Sequence, residues 1–444
     1  MSNRTEDGRR RTESKPSSVS RQIKNMKNLT RGVSIVGAGM SKFGAFPDKT
    51  GRDLFVEAYL EMAKSFDKGF DPREIEAIYL GNFSSDLFEG QAHNAPLMAD
   101  AIGLTPIPST RVEDACASGG VALRQGVMAI ASGLADVVLV GGVEKMSSLP
   151  TADVTDTLSK AGDNLYELPA GFTFPGFYAA MATAYMHKYG MKPESLMHVA
   201  MKNHNNGAVN PKAQFGVTIA EWMKQRVESA IKKGKPAPHW ADEMAFLHDD
   251  AANPMISYPL RLFDCSPISD GSACILLVAE ERAREFTDSP IRVIGTGQAS
   301  DVMLAERPDM TTLLAARKAS AMAYEMAGVT ARDIRIAEVH DCFTIAEVLA
   351  TEDLGFFAPG TGHGMAEDGV TARDGAKPIN TSGGLKAKGH PVGASGVGQT
   401  VEIFKQMRGE AGARQVPGDI PLALAHNVGG TGTTAVVHVF ERKE

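Results

Sequence analysis

The sequence predicts an α/β fold in which one strand-helix-strand-helix-strand unit is duplicated and a loop domain is inserted into the first copy. Three observations support this prediction. A β-branched run closed by glycines occurs twice, each copy continues into an amphipathic helix, and aromatic, methionine-rich sequence interrupts the repeat once. Because the second strand of each copy is a continuous apolar run, we expect buried parallel strands with helices on both faces, in a layered α/β/α body.

The repeat can be followed element by element along the chain. The corresponding segments of the two copies are 33–39 with 291–297 for the first strand, 52–66 with 313–327 for the helix, 71–80 with 330–339 for the second strand, and 135–140 with 420–425 for the third. Gly37 and Gly39 imitate a dinucleotide-binding fingerprint, but Lys42 occupies its third glycine position and no helix starts there. A nicotinamide cofactor is therefore not expected.

These segments divide the chain into a tail, two halves and an insertion. Residues 1–31 form a basic tail with almost no apolar periodicity, which we expect to be disordered. Residues 32–148 and 259–288 form the N-terminal half, and residues 289–444 form the C-terminal half. Residues 149–258 form an inserted loop domain that we expect to cover the substrate, with a decorative surface insertion as the alternative.

Composition excludes several classes of protein. The chain has 444 residues, of which 43% are hydrophobic and 22% charged, so a disordered or fibrous protein is excluded. Its net charge of -7 predicts no nucleic-acid partner, and no apolar run reaches the ~18 residues that would predict membrane insertion. Four cysteines without C-x-x-C spacing predict reduced thiols and no recognised zinc motif, and we expect a cytoplasmic protein.

Cys116 is the first candidate for chemistry. It lies in the segment 111–120 (RVEDACASGG), between a short extended stretch and a helix predicted from Ser118 to Ser132. Small neighbours let a substrate approach closely, and the helix N terminus favours a thiolate, so we expect the pKa of Cys116 to fall below the reference of about 8.5. A buried structural cysteine is the alternative, but the tight turn favours a nucleophile.

The second copy carries His390 at the matching position, just before a helix and framed by glycines. A pseudo-twofold relation between the copies would bring its imidazole beside Cys116 and activate the thiol. His340 and Cys342 follow the second strand of this half, at the kind of strand end where α/β proteins place their sites. Metal binding by His340, Cys342, His390 and His426 is the competing interpretation.

Taken together, these motifs make the sequence resemble the thiolase superfamily over residues 32–442. Cys116 to Ser118 match its C-x-S nucleophile motif, and Gly389 to Pro391 match its G-H-P motif. Residues 264–271 (DCSPISDG) resemble the segment in which a serine contacts the pantetheine of coenzyme A, here Ser266. The resemblance implies a duplicated thiolase fold with five layers, α/β/α/β/α, and an inserted loop domain.

Two departures from ordinary thiolases are informative. Residues 340–343 read H-D-C-F where ordinary thiolases have N-E-A-F, and residues 427–429 read N-V-G where they have C-x-G. The H-D-C-F form is similar to the sterol-carrier-protein type of thiolase, in which the cysteine of that loop takes over the acid/base work. The site residues that the resemblance implies are Cys116, His340, Cys342 and His390 for catalysis, Asn427, Gly429 and Gly430 around the oxyanion, and Ser266 and Phe343 for coenzyme A.

The resemblance also implies a function. It implies an acyltransferase of lipid and fatty acid metabolism, an acetyl-CoA acetyltransferase or 3-ketoacyl-CoA thiolase, that cleaves 3-oxoacyl-CoA with coenzyme A or condenses an acyl group with acetyl-CoA. Coenzyme A is then a substrate, and no metal or redox cofactor is expected. A homodimer or homotetramer is implied, with a small acyl-CoA-binding accessory protein in some members. The alternatives are a β-ketoacyl synthase and a noncatalytic acyl-CoA- or lipid-binding relative.

Overall fold

A computed structural model describes residues 29–443. Within them, nine strands pair into one sheet and two further strands form a separate hairpin. The strands are β1 (Val33–Met40), β2 (Ala77–Gly81), β3 (Ser109–Val112), β4 (Val137–Lys145), β5 (Met255–Ser257), β6 (Leu260–Arg261), β7 (Asp270–Ala279), β8 (Ile291–Ser300), β9 (Ile336–Glu338), β10 (Leu422–Gly429) and β11 (Thr434–Arg442). The hairpin consists of β5 and β6.

The strand order is β3-β2-β4-β7-β1-β8-β11-β10-β9, so each half of the chain contributes one contiguous half of the sheet. The halves meet where β1 pairs with β8 through two residue pairs, Ser34 with Arg292 and Ile35 with Ile291. The expectation of parallel strands is correct only for β2 with β3 and β4, and for β9 with β10. It is wrong elsewhere: β7 returns from the insertion antiparallel to both β4 and β1, and the pairs β1-β8, β8-β11 and β11-β10 are antiparallel as well.

The helices complete a layered structure around this sheet. They are α1 (Gly51–Ala63), α2 (Ser85–Phe88), α3 (Asn94–Ala101), α4 (Ser118–Ala131), α5 (Thr151–Ser159), α6 (Phe174–Tyr189), α7 (Pro193–Ala208), α8 (Ile219–Lys232), α9 (Glu243–His248), α10 (Ala283–Phe286), α11 (Leu314–Ala327), α12 (Thr344–Asp353) and α13 (Ser395–Met407). None of these helices is long and apolar enough to cross a membrane.

Three buried apolar clusters define the layers. One packs α1 and α3 against the outer face of the N-terminal half of the sheet, and another packs α11 and α12 against the outer face of the C-terminal half. A third, central cluster joins α4 and α13 to strands from both halves. The two halves of the sheet therefore form two separate layers, with helices outside and between them. This order confirms the five-layered α/β/α/β/α fold predicted for the chain.

Glycines in the first strand serve helix packing. A Cβ at Gly39 would lie 2.1 Å from the backbone nitrogen of Met62, so β1 and α1 approach each other too closely for any larger residue. The helix itself begins with a capping box in which Thr50 and Asp53 exchange hydrogen bonds, which satisfies backbone groups of its first turn. A Cβ at Gly37 would likewise lie 2.4 Å from the ring of Phe66, so close packing explains both glycines that imitate a nucleotide fingerprint.

Most of the predicted tail lies outside the described residues, and the part that is described is held in place. The Arg31 guanidinium donates to Glu281 Oε1 at 2.7 Å and to Asp136 Oδ1 at 2.7 Å. The Thr30 hydroxyl donates to the carbonyl oxygen of Ala131 at 2.6 Å. The prediction of disorder up to residue 31 is therefore wrong at its end, because partners distant in sequence anchor these residues.

The inserted region leaves after β4 and returns at β7, and it contains α5 to α9 with the β5-β6 hairpin. Its two ends are neighbours in the sheet, because Lys145 pairs with Asp270. Their side chains also form a buried ion pair, with Lys145 Nζ 3.0 Å from Asp270 Oδ2. Helix α6 packs into the apolar cluster of the C-terminal half, so the insertion is an integral part of the fold.

Glu144 connects the two halves through a fully buried carboxylate. It accepts hydrogen bonds from the backbone nitrogens of Phe83 at 2.8 Å, Ser84 at 3.0 Å and Gly393 at 3.0 Å, and from Asn82 Nδ2 at 3.1 Å. Removing this carboxylate would leave several buried donors without an acceptor.

We expect Glu144→Ala to lower the free energy of unfolding by roughly 3 kcal/mol, because each orphaned donor carries a desolvation penalty. Denaturant unfolding followed by circular dichroism measures the effect. Glu228→Ala is the matched control, since Glu228 is exposed on α8 and should change stability by less than about 0.5 kcal/mol. Equal stability of the two variants would contradict the role assigned to Glu144.

Candidate active site

Cys116 lies in a tight turn between β3 and α4. The turn is closed by Ser118, whose hydroxyl accepts from the backbone nitrogen of Asp114 at 2.9 Å and donates to the Ala115 carbonyl at 2.6 Å. Ala115 has a backbone φ of 47°, in the left-handed region that residues other than glycine rarely adopt. The strained turn presents the thiol at the start of α4, as the sequence predicts.

His390 lies at the start of the matching helix, α13, and its ring is fixed by a serine. Its Nδ1 is 2.6 Å from the Ser395 hydroxyl oxygen, and that hydroxyl donates to the Pro391 carbonyl at 3.0 Å. Because the hydroxyl has only one proton, it accepts from Nδ1-H of His390. This tautomer leaves a lone pair on Nε2 of His390, which can serve as a base for Cys116.

The predicted catalytic side chains come together. The reactive side-chain atoms of Cys116, His340 and His390 all lie within 4.8 Å of one another. The two imidazole rings are nearly perpendicular, at 82°, with their centroids 5.1 Å apart. Cys342 lines the same cavity as Cys116 and His390. A nucleophile, a base and two further proton-exchanging groups therefore share one buried site.

This cavity has a volume of about 170 Å³, and most of its lining is apolar. The residues predicted to contact coenzyme A, Ser266 and Phe343, both line it. They are brought together because the Ser266 backbone nitrogen donates to the Cys342 carbonyl at 2.9 Å, while Cys265 pairs with Phe343. The inserted region contributes Phe174 to the wall.

Tyr178 of α6 also touches the site. Its hydroxyl donates to the Gly430 carbonyl at 3.3 Å and lies close enough to the Cys342 thiol to affect the pKa of that thiol. Its ring stacks on Phe343 with centroids 4.7 Å apart. Tyr178 therefore links three segments that carry predicted site residues. The sequence marked it only as an aromatic residue of the insertion, because no motif signals its partners.

The glycine loop after β10 supplies a donor to the nucleophile. The backbone N-H groups of Gly430 and of Cys116 itself lie near the Cys116 sulfur and favour its thiolate form. These are the donors that an oxyanion on a Cys116 adduct needs. Gly429 has a different reason to be glycine, since a Cβ there would lie 2.5 Å from the Asp114 carbonyl oxygen. Asn427 contributes its side chain: Nδ2 is 3.0 Å from the Cys116 carbonyl oxygen and 3.0 Å from His340 Nδ1.

The predicted low pKa of the nucleophile is wrong. Burial raises the pKa of Cys116 to about 12, and the nearby carboxyl of Glu144 raises it further. Burial also lowers the pKa of His390 to about 3, with a contribution from the positive charge of Lys388. Desolvation outweighs the helix N terminus, so both groups are neutral at pH 7. The thiol must lose its proton to His390 during attack.

We expect the alkylation rate of Cys116 by iodoacetamide to keep rising with pH beyond pH 9, because its raised pKa keeps the reactive thiolate scarce at neutral pH. Mass spectrometry of the peptide that contains Cys116 measures the rate. The Cys116→Ser protein controls for labelling elsewhere. A rate that levels off below pH 7 would show a preformed thiolate and contradict the neutral pair.

The metal-binding interpretation is not supported by the surroundings of one of its ligands, His340. Among residues 29–443, Cys116, His340 and His390 form a group that could reach one ion, without Cys342 or His426. A histidine that ligates a metal through Nε2 normally donates its other ring N-H to an acceptor. Nδ1 of His340 instead faces a donor, the amide Nδ2 of Asn427. His340 therefore lacks the acceptor that a metal-ligating histidine needs at this nitrogen.

Comparison with known proteins agrees with this geometry. Family models described as "Thiolase, N-terminal domain" and "Thiolase C-terminal domain-like" match residues 33–281 and 297–442. The acetyl-CoA acetyltransferase of Methanothermobacter thermautotrophicus is 45% identical over 413 residues, which cover 93% of this chain and 100% of that protein. Sterol carrier protein 2 of Oryctolagus cuniculus is 31% identical, over 92% of this chain and 72% of that protein.

A solved structure shows the same fold. The protein named "Ltp2-ChsH2(DUF35) aldolase" superposes with a TM-score of 0.75 at 25% identity, covering 94% of this chain and 99% of that chain. The two family models together span most of the described residues, and the acetyltransferase matches from end to end. The chain therefore belongs to the thiolase family and is an acyltransferase of the thiolase type.

Proposed function

We propose that the protein interconverts acetoacetyl-CoA plus coenzyme A with two molecules of acetyl-CoA, using Cys116, His340, Cys342 and His390. The observation that carries this proposal is that Cys116, Cys342 and His390 line one cavity, with His340 within 4.8 Å of Cys116 and His390. The acetyl-CoA acetyltransferase relatives support an acetyl group as the transferred group.

In thiolysis, Cys116 attacks the 3-oxo carbonyl while its proton moves to Nε2 of His390. The N-H groups of Cys116 and Gly430 hold the resulting oxyanion. The bond between C2 and C3 then breaks, which leaves an acetyl group on Cys116 and the enolate of acetyl-CoA.

Cys342 acts in the next step. Burial raises its pKa well above the usual range, so it is a neutral thiol that can protonate the enolate carbon and become a thiolate. His340 and the protonated His390 donate to the enolate oxygen while this occurs. Coenzyme A then gives its thiol proton to the Cys342 thiolate and attacks the acetyl-enzyme, and Cys116 leaves as a thiolate that takes its proton back from His390. Condensation is the same sequence in reverse, and it needs no metal or redox cofactor.

The direct test is coenzyme A-dependent cleavage of a panel of 3-oxoacyl-CoA esters by the full chain. We expect loss of acetoacetyl-CoA and the appearance of acetyl-CoA, with Cys116→Ala protein as the inactive control. Tight binding of the esters without cleavage would favour the noncatalytic alternative. Condensation that requires a decarboxylating malonyl donor would favour the β-ketoacyl synthase.

Phe174 is proposed to limit the length of the acyl group, because it lines the cavity and packs edge-on against Phe177 at 5.8 Å. We expect Phe174→Ala to raise kcat/KM for longer 3-oxoacyl-CoA esters relative to acetoacetyl-CoA by about 10-fold, as the wall recedes by a phenyl group. The same ester panel measures this ratio. An unchanged ratio in a folded variant would remove Phe174 from the acyl site.

We also propose a cytoplasmic homo-oligomer that works with an accessory acyl-CoA-binding protein. The name of the structural neighbour joins Ltp2 to ChsH2(DUF35), which supports a partner of that kind. Exposed apolar side chains on the β5-β6 hairpin, Met255, Ile256 and Tyr258, lie close in sequence to the segment that contains Ser266 and offer a surface for it. Sedimentation of the purified chain, alone and with a candidate partner, tests the homo-oligomer and the partner.

A further inference from the structure

Asn427 has an orientation that its surroundings determine. Its Oδ1 accepts from the backbone nitrogen of Gly120 at 3.1 Å, and a backbone N-H can only donate. Its Nδ2 therefore faces the Cys116 carbonyl oxygen at 3.0 Å and His340 Nδ1 at 3.0 Å. The carbonyl oxygen is an acceptor, which is consistent with the same orientation. The side chain is buried and all three of its contacts are within the site.

This orientation decides which ring nitrogen of His340 carries a proton. An amide NH2 group only donates, so Nδ1 of His340 must accept and has no proton. Burial keeps the pKa of His340 well below its usual value, with further lowering by His390 and His426, so the ring is neutral. A neutral imidazole without a proton on Nδ1 carries it on Nε2. Among the described residues, this Nε2 has no hydrogen-bond partner.

The two histidines are thereby prepared for opposite roles. Ser395 accepts the Nδ1-H of His390 and leaves Nε2 as an acceptor, whereas Asn427 donates to Nδ1 of His340 and leaves Nε2-H as a donor. Their rings are 5.1 Å apart at the nucleophile. One of them can take a proton from Cys116 while the other offers a proton to a developing negative charge.

We propose that Asn427 is a positioning residue that holds His340 as the Nε2-H tautomer, so that the unpaired N-H is available to a substrate oxygen. The inference rests on the proposed function for the identity of that oxygen, the thioester oxygen of acetyl-CoA as it becomes an enolate. The assignment of the tautomer itself rests only on the three contacts of the Asn427 amide. It also explains why an amide occupies the place where the motif of ordinary thiolases has a cysteine.

The first test is the tautomer of His340 in the full chain, read from its ring 15N shifts with His340→Gln used for assignment. We expect a protonated Nε2 in the unaltered protein. In Asn427→Asp, a carboxylate replaces the amide donor, so we expect the proton on Nδ1. An Nδ1-H tautomer in the unaltered protein would overturn the inference, whichever substrate the enzyme uses.

The second test separates tautomer control from a structural role. Asn427→Asp should reduce the rate of thiolysis about 100-fold. Asn427→Leu should reduce it less, because leucine removes the hydrogen bonds without offering an acceptor to Nδ1 of His340. Asn427→Asp should also become about 10-fold more sensitive to Zn²⁺, since a carboxylate on Nδ1-H prepares Nε2 of His340 as a metal ligand. Equal losses in both variants with unchanged zinc sensitivity would leave Asn427 a structural residue.

The outcomes also separate this inference from the proposed function. If the unaltered protein neither becomes acylated nor cleaves any ester, the proposed function fails while the 15N measurement still decides the tautomer. If the unaltered protein turns over and His340 carries its proton on Nδ1, the proposed function stands and the role of Asn427 is refuted.

Discussion

Cys116→Ala is expected to abolish covalent acylation and to reduce turnover by ~10⁴-fold or more, because it removes the thiol that lies beside the base His390. Cys116 is buried and the N-H groups of Gly430 and of Cys116 itself lie near its sulfur, so a nucleophile at another position would lack those donors. Intact-protein mass spectrometry after incubation with acetyl-CoA measures acylation, and acetoacetyl-CoA cleavage measures turnover.

Cys274→Ala is the matched control for this experiment. Cys274 is also a buried free thiol, but it lies in β7 within the cluster that packs against α1 and α3. We expect this variant to be acylated and to turn over like the unaltered protein. Acylation of the Cys116→Ala protein at another residue would move the nucleophile and overturn the mechanism.

Cys342→Ala is expected to give the second largest effect, and on a different step. The variant should still form the acetyl-enzyme from acetyl-CoA, because Cys116 and His390 are intact. It should lose 10²- to 10⁴-fold in acetoacetyl-CoA cleavage and in condensation, because no thiol remains to protonate or deprotonate the α-carbon. Acylation and cleavage are measured on the same preparation, and full turnover would remove Cys342 from the acid/base role.

The sequence predicts the arrangement of the fold because each signal for it is local. The glycine-closed strands, their helices and the motifs around Cys116 and His390 are short segments, and the duplication specifies that they meet. The direction of β7 was not predictable in this way, because it depends on how the chain returns from the insertion. The anchoring of Arg31 likewise depends on carboxylates far along the chain.

The electrostatics of the site were also beyond local patterns. A helix N terminus is visible in the sequence, and it predicts a thiolate at Cys116. The apolar residues around the sulfur, among them Phe88, Met146 and Val154, come from separate segments and reverse that prediction through desolvation. The roles of Asn427 and Tyr178 depend on partners in other segments in the same way.

The junction between Lys145 and Asp270 has a consequence for how such enzymes diversify. The inserted region starts after Lys145 and ends before Asp270, which are paired in the sheet and joined by an ion pair of 3.0 Å. Replacing the segment between these two anchor residues would therefore leave the anchors themselves in place. The nucleophile, both histidines and Cys342 all lie outside the segment between these anchors. A chimera that takes this segment from a homologue, together with the residues of the C-terminal half on which α6 packs, should therefore inherit the homologue's acyl preference while it keeps its own catalytic residues.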